Sequence, residues 1–187
     1  MCIRDSGTAS NANATGMAFV PGRVGNAVTF DGVDDFVNVP HSTSLNITGA
    51  ITVEVWARRA SGVVDQESLV RKEGAYMIRV DEDVSGDDYS FFIWIGGTPE
   101  PRVNSGIIPS GNWDHIVGTY NAAGGSGNVK IYVNGILRGT STRTGNIDIN
   151  TSSLMIGHRF NGLIDEVRIY NRALSAAEVR AIFNATR

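Results

Sequence analysis

The sequence predicts an all-β fold, a two-sheet antiparallel sandwich with one short C-terminal helix. Three observations carry the prediction. About a dozen short stretches alternate apolar and polar residues, the period of two that a half-buried strand requires. Gly, Asn, Asp and Pro turn signals separate them. Only the last stretch, after Ser175, carries a helix start.

Residues 7–22 are small, polar and rich in Gly, Asn and Ala, and read as loop. Ala27–Phe30 and Phe36–Val39 read as strands joined by DGVDD, in which Asp31-Gly32 is a turn signal, and Pro40 ends the second. Ile51–Trp56 sets Ile51, Val53 and Val55 against Thr52, Glu54 and Trp56. Ser68–Arg71 and Ala75–Val80 follow, the latter setting Tyr76, Ile78 and Val80 against Met77 and Arg79. Asp81–Asp88 reads as an acidic hairpin tip. Its Asp81-x-Asp83-x-Ser85-Gly86 matches half of an EF-hand loop, but Phe92 stands where that loop needs a bidentate Glu.

Tyr89–Ile95 reads as a strand that is apolar on both faces, and Ile107-Ile108 as a short strand piece. Trp113–Tyr120 is another strand, and residues 121–128 form a Gly-rich loop. Val129–Val133 and Ile136–Thr140 form a hairpin, because Asn134-Gly135 tolerates the positive φ of a type I′ turn. Leu154–Gly157 is the penultimate strand.

The closing stretch, Phe160–Glu178, reads as a long strand, a turn and a helix through about Phe183, started by the capping box Ser175-x-x-Glu178. Strict alternation puts Asp165 on the face of Leu163, Val167 and Ile169, where a carboxylate must be paired, hydrogen-bonded or bound to a cation. The same alternation assigns the core lining to Ile51, Val53, Val55, Ile78, Val80, Phe91, Ile93, Val129, Ile131, Val133, Val167 and Ile169. It turns Glu54, Trp56, Arg79, Trp94, Lys130, Tyr132, Glu166 and Arg168 outward, toward water or a ligand.

Composition narrows the function classes. A chain of 187 residues buries about 70% of its unfolded surface as one domain. Its 42% hydrophobic content and 22 glycines fit a turn-rich β protein. A net charge of −3 argues against general nucleic-acid binding. No apolar run reaches the roughly 18 residues of a membrane-spanning helix. Cys2 is the only cysteine, so no intrachain disulfide forms, which fits cytosol or a cysteine-free extracellular bacterial protein. No charged-then-apolar signal segment opens the chain.

The blocks GNAVTFDGVDDFVNVP (Gly25 to Pro40), ITVEVWARR, WDHIVGTY, VKIYVNGILRG and G-x-IDEVRIYNRALS-x-x-E together resemble the laminin-G-like / concanavalin A-like lectin-glucanase jelly-roll domains, in that family's order and over nearly the whole chain. The resemblance implies jelly-roll topology. It also implies a single domain over residues 7–187 behind a non-native prefix at 1–6, because MCIRDS resembles a read-through prefix of metagenomic reading frames. The chain is thus expected to be an N-terminally truncated metagenomic fragment.

The same resemblance implies a structural Ca²⁺ held by Asp31 and Asp165 with backbone carbonyls, the alternative being a salt bridge or cap. Asp34 and Asp35 read as turn residues. Trp94, with Arg79, Glu54 and Arg71, is expected to form an outer-face platform for a sugar ring, the alternative being a tryptophan covered by a loop. Trp56 and Trp113 are expected to pack.

Catalysis has little support. There is no G-x-S-x-G. The family's glycosidases carry E-x-D-x-x-E on one strand, whereas here Leu163 and Arg168 stand where glutamates are needed. His115 lies in a family block where a histidine is common without catalysis, and His158 lies near the expected binding edge. The four N-x-[ST] sequons receive no role. The expected function is non-catalytic binding of a polysaccharide or glycan, by a monomeric module of a larger extracellular or cell-surface protein that neither binds nucleic acid nor inserts in membranes. The alternatives are a structural or adhesive spacer or protein-binding module, and a glycoside hydrolase or polysaccharide lyase.

Overall fold

The structure, a computed structural model, describes residues 8–11, 17–60, 66–83 and 86–187. The prefix expected at residues 1–6, with Cys2, and Val84 and Ser85 of the acidic hairpin tip lie outside the described residues. The molecule is a two-sheet antiparallel jelly-roll sandwich with one C-terminal helix.

The strands in chain order are β1 Thr8–Asn11, β2 Phe19–Pro21, β3 Asn26–Asp31, β4 Asp35–Val39, β5 Ala50–Arg59, β6 Glu67–Lys72 and β7 Tyr76–Asp83. They continue with β8 Gly86–Ile93, β9 Val103–Asn104, β10 Asp114–Asn121, β11 Val129–Val133, β12 Ile136–Ser141, β13 Leu154–Ile156 and β14 Asn161–Tyr170. Helix α1 spans Ala176–Thr186. Sheet I has seven strands in the order β1-β4-β13-β6-β7-β8-β9, and sheet II seven in the order β12-β11-β10-β5-β14-β3-β2.

The alternation expected from the sequence puts the right side chains between the sheets. All twelve expected lining residues lie in the main core cluster. Asn134 and Gly135 both take positive φ, as the β11–β12 hairpin requires. The segment read as loop nevertheless contributes two strands, β1 on the edge of β4 and β2 on the edge of β3. An edge strand is held by backbone hydrogen bonds on one side, so a polar sequence forms it without leaving a side-chain pattern. The short strand expected at Ile107-Ile108 sits instead at Val103–Asn104; Ile108 is exposed.

Two departures reposition site residues. First, β14 carries a β-bulge: Asp165 faces Trp56 of β5, Arg168 faces Glu54, and Glu166 and Val167 share the gap between. Glu166 takes φ 51° there. A bulge shifts the side-chain parity by one. Ile164, Val167 and Ile169 therefore all enter the core. Asp165, expected on the core face, turns out beside Trp56.

Second, the outer face of sheet II is covered. Val117, Tyr132, Leu174 and Val179 form a small second core beneath α1. Thr52 Oγ1 donates to Arg172 O at 2.8 Å and accepts from Leu174 N–H at 2.9 Å, anchoring the crossover. Trp56 Nε1 donates to Thr186 Oγ1 at 3.0 Å and its ring stacks on Phe183. Trp56, Tyr132 and Glu166, which alternation turns outward, are buried for this reason.

Candidate functional site

Glu54 is corrected by its sheet. It lies on β5 of sheet II, whereas Arg71, Arg79 and Trp94 belong to sheet I or its margin, so Glu54 takes no part in a platform with them. It is fully buried, and its Oε1 accepts from Arg168 Nη1 at 3.1 Å and lies 3.2 Å from His115 Nε2. Its Oε2 accepts from the Tyr170 hydroxyl at 3.0 Å. Burial, the Glu54 charge and this hydrogen bond push the Tyr170 phenol up to about 12. Arg168 also pairs with Glu166. This cluster ties β5, β10 and β14 together beneath the C-terminal segment.

The other three expected platform residues do share a surface, the outer face of sheet I. Arg71 of β6 is opposite Met77 of β7, which is opposite Phe92 of β8. In the next row Ser68, Arg79, Ser90 and Asn104 face one another across four strands. Phe92 is the centre. The Arg79 guanidinium lies 4.5 Å from its ring centroid and that of Arg102 5.4 Å, while Trp94 sits 6.2 Å away at 34°.

Asp81 fixes both guanidiniums. Arg79 Nη2 is 2.7 Å from its Oδ1, and Arg102 Nη2 3.1 Å from its Oδ2. Arg102 Nε also donates to Asn104 Oδ1 at 3.1 Å, which accepts from Ser90 Oγ at 3.0 Å. Arg71 pairs with Glu73 at 2.7 Å. Trp94 is half-buried, and Arg71, Arg79 and Arg102 each keep 19–28% of the side chain exposed. The face thus presents the half-buried Trp94 ring and three guanidiniums, each paired with a carboxylate. Planar donors fixed in this way can pair two neighbouring oxygens of a ligand at once, with little further ordering cost.

Three members of this face went unassigned in the sequence. Asp81 belongs to the expected hairpin tip, yet Met77, Arg79 and Asp81 continue one alternating face. Phe92 lies in a strand apolar on both faces, which does not single it out as the stacked centre. Arg102 lies outside any strand and left no periodic signal.

His158, at the end of β13, borders the face. Its Nδ1 lies 3.5 Å from Arg71 Nη1, and its ring is 6.0 Å from that of Phe36. Burial, then the charges of Arg71 and Arg159, push the imidazole below 6.5, with Glu73 opposing. An NMR titration should give a midpoint below 6.5, moving upward in Arg71→Ala. A folded-state value below the unfolded one means the neutral ring favours the fold at high pH, a contribution lost as pH falls through the folded midpoint. A midpoint at or above 6.5 would contradict the packing against Arg71.

The expected Ca²⁺ pair is separated. Asp31 is the Cα partner of Asn161 on β14, four residues from Asp165, which at strand rise is about 13 Å. Two oxygens on one Ca²⁺ lie within roughly 5 Å. Asp165 instead caps a turn: its Oδ2 accepts from Val24 N–H and its Oδ1 from Glu166 N–H, each at 2.8 Å. Asp31 gathers with Asp34 and Asp35, one carboxylate oxygen from each lying within 4.8 Å of the others. Burial raises the Asp35 carboxyl; the Asp31 N–H opposes this, and the Asp31 and Asp34 charges add to it.

Comparison with known proteins bears on the whole arrangement. The family described as the concanavalin A-like lectin/glucanases superfamily matches residues 31–180. Among solved structures, domain 4 of AbnA, a GH43 extracellular arabinanase from Geobacillus stearothermophilus, in complex with arabinotriose, is similar at TM-score 0.71 and 22% identity, covering 94% of this chain and 87% of that one. The binding domain of Paraclostridial Mosquitocidal Protein 1 is similar at TM-score 0.71 and 20% identity, over 91% of this chain and 46% of that one. A botulinum neurotoxin type C structure, from work on cell entry dependent on two ganglioside molecules, is similar at TM-score 0.70 and 16% identity, over 97% of this chain and 47% of that one. The chain thus spans most of the first and just under half of the other two. No curated protein matches it.

Proposed function

The chain belongs to the concanavalin A-like lectin/glucanases superfamily, and on that premise we propose that it is a non-catalytic carbohydrate-binding module whose glycan lies on the outer face of sheet I. One observation carries the reading: Arg79 and Arg102 are stacked on Phe92 and braced by a shared Asp81, beside the partly open Trp94 ring. A sugar presents an apolar C–H face and vicinal hydroxyls; Trp94 suits the first, and fixed guanidiniums with Asn104 and Glu73 suit the second. Of the two buried carboxylates on this face, Asp81 is engaged by two arginines and its cross-strand partner Asp88 accepts from Ser90 Oγ and Gly106 N–H, which supports binding over acid–base chemistry. Neighbouring folds drawn from an extracellular arabinanase and from a neurotoxin binding domain support an extracellular module of a larger protein.

Binding of a panel of plant and bacterial oligosaccharides, followed by calorimetry, tests the reading. Trp94→Ala and Arg79→Ala should each weaken the best ligand at least about tenfold, a loss of about 1.4 kcal/mol, with the fold retained. Binding that survives both variants unchanged would place the ligand elsewhere. Phe92 and Met77, each 3% exposed, favour the alternative of a spacer or protein-binding module, since the most apolar part of the face lies beneath its arginines. That reading predicts no signal from any glycan in the panel.

A further inference from the structure

The family resemblance implies a structural Ca²⁺, and the residues first expected to hold it do not fit one ion. The β3–β4 turn does. Asp31 ends β3, Asp35 opens β4, and Asp34 lies between them. One carboxylate oxygen from each falls within 4.8 Å of the others, the spread of ligands around a single cation. Asp31 Oδ1 accepts from Val33 N–H at 2.8 Å, and the unmet demand of the turn lies at Asp35. Asp35 is 1% exposed; its Oδ2 accepts from Asp31 N–H at 3.1 Å, but its Oδ1 is buried with no hydrogen-bond partner. A buried carboxylate oxygen without a donor, beside two further carboxylates, is unfavourable unless a cation balances it.

The turn also lies against Asn161 of β14. Gly32 takes φ 81°, and a Cβ there would sit 2.9 Å from the Asn161 Cβ, so the missing side chain lets Asn161 of β14 approach the turn. We propose that Asp31, Asp34 and Asp35 bind one Ca²⁺, with Asn161 and water completing the shell. The turn is exposed on the Asp31 side, which leaves room for the waters that a six- to eight-coordinate ion needs. The ion would pin the β3–β4 connection, which passes from sheet II to sheet I, against the start of β14. Asp165 keeps its backbone partners and takes no part.

The test uses the whole chain, stripped with EDTA, and CaCl₂ alone as the probe, read by thermal unfolding and by calorimetry. An ion that binds only the folded state raises the midpoint with its concentration. Wild type should show a saturable rise in midpoint. Asp34→Asn, a half-buried turn substitution, should keep the fold and lower the Ca²⁺ affinity at least about tenfold, because affinity follows ligand charge. Asp35→Asn should do the same, and Asp165→Asn should leave the affinity unchanged. No Ca²⁺-dependent shift in wild type, a shift that survives both Asp34→Asn and Asp35→Asn, or one lost only in Asp165→Asn would each overturn the assignment.

Discussion

Glu54→Ala is expected to destabilise the fold by about 3–5 kcal/mol, the penalty for leaving a buried and a half-buried polar group without their acceptor. Glu54 has no exposed surface, and three side chains converge on its two oxygens: Arg168, Tyr170 and His115. Truncation strands a hydroxyl and an imidazole beneath the C-terminal segment at once. Arg168 keeps Glu166, so the loss concentrates at Tyr170 and His115. Urea unfolding measures it directly. Protease sensitivity at α1 should rise in parallel, because the same cluster lies under the helix that covers sheet II. A loss under about 1 kcal/mol, the range of exposed ion pairs, would mean the cluster is hydrated.

Gly118→Val should also destabilise the fold, by a different route. Gly118 sits mid-strand in β10, between Val53 of β5 and Ile131 of β11. A Cβ there would lie 2.4 Å from two ring atoms of Phe91, which is fully buried in the opposite sheet. The ring rests flat on the glycine, so sheet separation at this point is set by the absent side chain. Valine forces the ring aside, and overpacking of this kind costs about 1–3 kcal/mol or more. Phe91 neighbours Phe92 and Ser90 on β8, so its displacement should also loosen the proposed glycan face. The double variant Gly118→Val with Phe91→Leu should recover part of the loss, since residues in contact couple. Equal stability of the single and double variants would contradict the clash.

The core was legible in the sequence, and much of the site was not, for reasons that particular residues show. Ile51, Val53, Val55 and Phe91 reveal themselves because period-two alternation needs only local sequence. Asp165 was turned the wrong way because nothing in Ile-Asp-Glu-Val-Arg marks an inserted residue. The bulge is visible only once β14 is paired with β5.

Glu54 and Arg79 look alike in the sequence, each outward on an alternating strand. Whether such a face meets water, a ligand or a helix depends on which sheet the strand joins, and sheet order is set by pairings distant in the chain. Arg102 reaches Phe92 from a segment outside any strand, where no periodicity exists to flag it. Asp34 and Asp35 read as ordinary turn residues because their convergence with Asp31 depends on how tightly the turn closes.

The outer face of sheet I is the proposed glycan-binding surface. Backbone amide shifts recorded while the best oligosaccharide of the panel is titrated in measure it most directly. The perturbed amides should cluster at Arg71, Arg79, Phe92, Trp94, Arg102 and Asn104, with α1 untouched. Perturbations gathered on the other sheet, at the cleft lined by Thr29, Arg58, Asn161 and Leu163, would contradict it.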